Sequence, residues 1–71
     1  MSELHRITSN PLVVGGRPSI RGMRIRVIDI LEMLAEGATR EEILQDFPYV
    51  EDEDITASLE FATEQLRGGA I

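Results

Sequence analysis

Between Gly15 and Arg26 the chain reads Gly-Gly-Arg-Pro-Ser-Ile-Arg-Gly-Met-Arg-Ile-Arg, a run of turn formers carrying four of its seven arginines. Asn10 before Pro11 is biased toward an extended or turn conformation, so no helix starts there. Leu12, Val13 and Val14 form a short apolar run ended by Gly15 and Gly16, which suits an extended segment entering a turn. Pro18 to Ile20 and Met23 to Val27 are then expected to pair, giving a hairpin over about residues 12–27 with Arg21 and Gly22 in its turn. Arg-Gly is a weak turn pair for that purpose. In the second strand Met23, Ile25 and Val27 alternate with Arg24 and Arg26, so one face can pack while the other offers two guanidinium groups.

At Val27 the period changes from two to that of a helix. Val27, Ile30, Leu31 and Leu34 share one stripe, flanked by Ile28 and Ala35, and Gly37 is the stop. Thr39 followed by Glu42 has the form of a capping box, opening a second helix whose apolar contacts are Ile43, Leu44 and Phe47 and which Pro48 ends. A third helix starts near Glu51, where four successive acids suit the positive end of a helix dipole, and runs to Gly68. Its expected core stripe is Ile55, Leu59, Ala62 and Leu66. The expected fold is therefore mainly α: a single domain over 1–71, with helices at about 27–36, 40–47 and 52–67 in a helix-turn-helix-like arrangement after a small β-hairpin.

With 71 residues the core must be thin, and without cysteine no disulfide or thiolate metal site supports it. Self-association, as a homodimer, is the expected compensation. Apolar and charged fractions of 42% and 28% suit a folded chain, not a disordered tail. No apolar tract exceeds three residues, so neither a signal peptide nor a membrane span is expected and a cytoplasmic location is the default.

Charge divides the chain in two. From Met1 to Ile28 there are five Arg against one Glu, a net +4; from Asp29 to Ile71 two Arg face twelve acids, a net −10. Such polarity suggests two kinds of partner. All cations are Arg, which favours planar bidentate contact with phosphate or carboxylate. Arg17, Arg21, Arg24 and Arg26 are accordingly candidates for DNA phosphates, the competing reading being ion pairs with the chain's own acidic half. Glu51, Asp52, Glu53 and Asp54 would repel phosphate from the start of the third helix, so any DNA contact is assigned to the arginine ribbon. Those four acids are either plain helix-start stabilisers or part of a partner interface that covers a basic groove. Met33 and Phe61 lie roughly 130° from their stripe centres and are read as further interface candidates.

No chemistry-bearing constellation stands out. His5 is the only histidine and has no second ligand at useful spacing, and the acids from Glu51 to Asp54 lack the Gly and bidentate Glu of a calcium loop. Gly15-Gly16 precedes Arg-Pro, not a helix opening with Lys-Ser/Thr, and no Ser, His and acid grouping supplies a nucleophile with its base. Catalytic, cofactor and metal residues are expected to be none, and the chain is not expected to be an enzyme.

Four marks carry a resemblance to a known family: Arg6-Ile7-Thr8; the Gly16-x-Pro18-x-Ile20-x-Gly22-x-Arg24-Ile25 ribbon; Glu41-Glu42-Ile43-Leu44 before Phe47-Pro48; and Glu53-Asp54-Ile55. Together they resemble the domain of unknown function 433 family, described as VapB-type antitoxins of bacterial toxin–antitoxin systems. Met23 and Arg26 depart from the residue types usual at their positions. The resemblance implies a three-helix helix-turn-helix-like domain, a toxin partner with a PIN-like ribonuclease fold, and repression of the pair's own operon by binding operator DNA. The alternatives are a stand-alone DNA-binding transcriptional regulator and a protein-interaction module with no nucleic-acid role.

Overall fold

The computed structural model describes residues 2–9 and 14–70, and the expectations for Asn10 to Val13 lie outside them. Three helices follow a small antiparallel ribbon: α1 Val27–Ala35, α2 Arg40–Asp46 and α3 Asp52–Gln65. The strands are β1 Ile7–Thr8 and β2 Ser19–Ile20, paired Ile7 to Ile20 and Thr8 to Ser19.

Each helix boundary has a local cause. Asp29 accepts the Arg26 backbone N–H at 2.9 Å and opens α1. Gly37, at φ 100°, closes it: the Gly37 N–H reaches the Leu34 carbonyl and the Ala38 N–H the Met33 carbonyl, each at 3.0 Å, which is a Schellman ending. Thr39 and Glu42 form the expected reciprocal box, with Glu42 N–H donating to Thr39 Oγ1 at 3.1 Å and Thr39 N–H to Glu42 Oε1 at 2.8 Å. The chain leaves helical geometry at Phe47, immediately before Pro48. Past Gln65 the helix widens into a looser turn, Leu66–Ala70, so Gly68 is not its stop.

The ribbon differs from the expected hairpin. Ser19 bridges to Arg26, the Ile20 N–H bonds the Ile25 carbonyl and the Val27 N–H bonds the Pro18 carbonyl, each at 3.0 Å, so Pro18 to Ile20 does face Ile25 to Val27. A full second strand has no room, because α1 begins at Val27 and Arg26 is already its cap. The longer partner of β2 is β1, near the start of the chain, where Leu4–Arg6 also forms a 3₁₀ turn. Val14–Gly16 is a tight turn, as expected at Gly15 and Gly16, although it already takes in Val14.

Ile20, Ile25, Val27, Ile30, Ile43, Val50 and Ile55 form one buried cluster. The expected core stripe of α3 holds at Ile55 and fails at Leu59 and Leu66. Asp54, Ile55, Ala57 and Ser58 are its buried residues, while Leu59 and Leu66 are exposed by 41% and 63%. Asp54, on that buried face, is bound by two arginines. Phe61 and Met33, expected off the core, are half-buried against it.

Candidate interaction site

At the tip of the ribbon the peptide reverses over Ile20 to Met23. Both central residues have positive φ, 46° at Arg21 and 73° at Gly22, the type I′ geometry that matches the twist of a hairpin. A Cβ on Gly22 would meet nothing within 4 Å, so backbone angle, not space, selects glycine there. Arg21 has no such freedom, and its left-handed backbone costs about 1–2 kcal/mol. The tip is held by its neighbours: Arg21 N–H donates to the Arg6 carbonyl at 2.7 Å and Gly22 N–H to Thr8 Oγ1 at 2.8 Å.

Beneath that tip lies the strongest polar cluster among the described residues. Asp54, fully buried, accepts from Arg21 Nε and Nη2 at 3.1 and 2.9 Å, from Arg6 Nη1 at 3.0 Å and from the Glu51 backbone N–H at 2.8 Å. Arg6 also grips Glu51 at 2.7 Å and Glu3 at 2.9 Å, and Arg21 Nη2 donates to the Tyr49 carbonyl at 2.8 Å. Burial opposes ionisation of Asp54, but the donors from Arg21, the Glu51 backbone and Arg6 outweigh it and hold its carboxyl below the usual range. Glu51, Asp54 and Glu3 raise the Arg6 guanidinium, and Asp54 raises that of Arg21.

Two of the four arginines proposed for DNA are thus committed within the chain, Arg21 to Asp54 and Arg26 to Asp29 at 2.8 Å. The Arg26 contact holds Asp29 below its ordinary value and raises Arg26. Arg17 and Arg24 are exposed and form no ion pair among the described residues. The acidic turn is committed as well. Glu51 pairs with Arg6, Asp52 with Arg40 at 2.8 Å and buried Asp54 with two arginines, so Asp54 is not available to a partner. Arg40 holds Asp52 below its ordinary value and is itself raised. Of those four acids, Glu53 alone lacks an ion pair among the described residues.

On another face, between the ribbon, α1 and the C-terminal end of α3, lies an open groove of about 580 Å³. Pro18, Ile28, Leu31, Phe61 and Leu66 make its lining almost wholly apolar, and Arg17 and Arg26 are its only charged lining residues among those described. Ile28 and Leu66 are 47% and 63% exposed. Phe61 therefore reaches the surface through the groove, while Met33 lines a separate acidic recess with Glu36, Glu42 and Asp46. No three His, Asp or Glu side chains among the described residues are placed to hold a metal, and no described helix is long and apolar enough to cross a membrane.

Sequence reasoning missed the Arg6–Asp54 contact and the groove. For the first, the spacing of Asp54 three residues after Glu51 signals its contact with the N-cap N–H, but nothing local points to Arg6. The second depended on the phase of α3 and had no signal.

Among known proteins, the chain is similar to an uncharacterized protein, y4eO, of Sinorhizobium fredii: 36% identical over 63 residues, 87% of this chain but 28% of that protein. The chain thus spans less than a third of that relative's length. No solved structure matches it. Residues 7–62 match the family described as protein of unknown function DUF433, a stretch that runs from β1 through most of α3 and takes in Arg21, Glu51 and Asp54 of the buried cluster and most of the groove, and the chain belongs to that family.

Proposed function

We propose that this chain is the antitoxin of a type II toxin–antitoxin pair, a cytoplasmic protein-binding domain that neutralises a PIN-like ribonuclease toxin. The observation that carries the reading is the groove: Ile28 and Leu66 leave large apolar surface exposed in one continuous, almost wholly apolar depression, the kind of surface that marks a protein-docking site. The charge of the helical part supports the same reading, since a net −10 over residues 29–71 suits a cover for the basic groove in which a ribonuclease holds RNA.

DNA binding is the second element of the proposal and rests on Arg17 and Arg24, the ribbon arginines without ion pairs among the described residues. A homodimer would bring two ribbons to one duplex, with half-site spacing set by the pairing. The test of the main reading is affinity capture of the tagged chain from its native host, followed by an RNA-cleavage assay on whatever is retained. A small ribonuclease, silent when bound and active when freed, is the expected result. Recovery of DNA fragments with no protein partner would favour a stand-alone regulator instead.

A further inference from the structure

The groove between the ribbon, α1 and α3 is unusual in its charge. In a chain of net charge −6, its lining contains two arginines and no carboxylate, whereas the recess at Met33 is lined by three carboxylates. Asp29 and the nearby Glu32 offset Arg26, whereas Arg17 has no ion pair among the described residues and is the groove's uncompensated charge. We infer that this groove receives an amphipathic helix of a partner protein, one that seats an apolar stripe against Leu31 and Phe61 and sets a carboxylate opposite Arg17.

The inference rests on the reading of the chain as a protein-binding domain and specifies the chemistry of what it binds. A helix suits the site because α1 and α3 pack side by side and leave an apolar seam, the arrangement in which residues spaced i, i+3, i+4 and i+7 become anchors. A second copy of this chain suits it poorly. Its matching groove offers no carboxylate to Arg17, since the charged lining residues among those described are both arginines. A partner carboxylate meets the opposite condition and adds a planar, bidentate contact to the apolar one.

The test uses the isotopically labelled full chain and two designed helical peptides with the same leucine stripe, one with glutamates and one with lysines on its flanks. Amide shifts on titration should centre on Ile28, Leu31, Phe61 and Leu66, and the glutamate peptide should bind about tenfold more tightly than the lysine peptide at low salt. Arg17→Ala should remove most of that preference, and Leu66→Ala, a change at an exposed site, should weaken both peptides about fivefold while leaving the spectrum otherwise folded. Equal affinity for the peptides, no binding, or shifts centred elsewhere would overturn the inference, as would groove amides that shift with protein concentration alone, which would assign the site to a second copy. The two readings fail separately. A captured ribonuclease with no peptide effect removes the groove assignment only, and peptide binding without a ribonuclease partner removes the antitoxin reading only.

Discussion

Two faces of this small domain use arginine in opposite ways. Under the ribbon tip, Arg6 and Arg21 spend their charge on a fully buried carboxylate and tie the first residues of the chain to α3. Beside the groove, Arg17 is exposed next to apolar surface and forms no ion pair among the described residues. The side chain and its charge are the same on both faces, and what separates them is whether a carboxylate has been brought within reach. An arginine cluster read from sequence is therefore a mixture, and geometry is needed to sort the residues that hold the fold from those open to a partner.

The largest effect that would break this division is expected at Asp54. Asp54→Ala leaves two guanidinium groups and the Glu51 N–H without their shared acceptor, and should cost about 3 kcal/mol, the low end for breaking a buried pair because both arginines are partly hydrated. In a domain this size that lowers Tm by about 15 °C, measurable by circular dichroism. A loss below about 1 kcal/mol would mean that the cluster does not hold the fold. Gly22→Ala should come next, at about 1 kcal/mol, because it forces a left-handed backbone on a residue with a Cβ. Arg17→Ala and Arg24→Ala should stay within about 0.5 kcal/mol of wild type, and a larger loss in either would move it to the structural class.

Acid sharpens the same contrast. Asp54, Asp29 and Asp52 all have lowered pKa values in the folded chain, so each holds its proton less readily folded than unfolded. Their contribution to stability is complete above about pH 4, the ordinary carboxylate range, and disappears as pH falls through their lowered folded values. Thermal denaturation from pH 7 to pH 2 should show that decline, and Asp54→Ala should flatten it. The smallest expected effect concerns DNA. If duplex binding occurs through the ribbon, Arg24→Ala should lower the slope of log affinity against log salt by about 0.9, one phosphate contact. An unchanged slope would remove Arg24 from that surface.

Much of the fold was legible in the sequence, because it is written in local signals. The period of α1, the Thr39–Glu42 box, Gly37 and Pro48 each act within a turn of their own position, and the three helices lie close to where those residues place them. The pairing of β1 with β2 was not legible, since Ile7–Thr8 is too short to show a period and its partner lies more than ten residues away. The α3 stripe failed at Leu59 and Leu66 for a related reason. Hydropathy assigns Asp54 to solvent and Leu59 to the core, and only the distant Arg6 and Arg21 reverse the two. Of the candidate site residues, the alternation of Arg24 with buried Ile25 and Val27 was read correctly, whereas the exclusion of Arg21 and Asp54 from any free surface required those long-range contacts.

The central claim, that this is a protein-binding domain that silences a ribonuclease, is tested most directly by titrating the freed partner nuclease with the purified chain while following cleavage of a labelled RNA. The account predicts that cleavage stops at a stoichiometric amount of chain and that Leu66→Ala, folded to the same degree, binds the nuclease about fivefold more weakly. Undiminished cleavage in the presence of excess wild-type chain would contradict it.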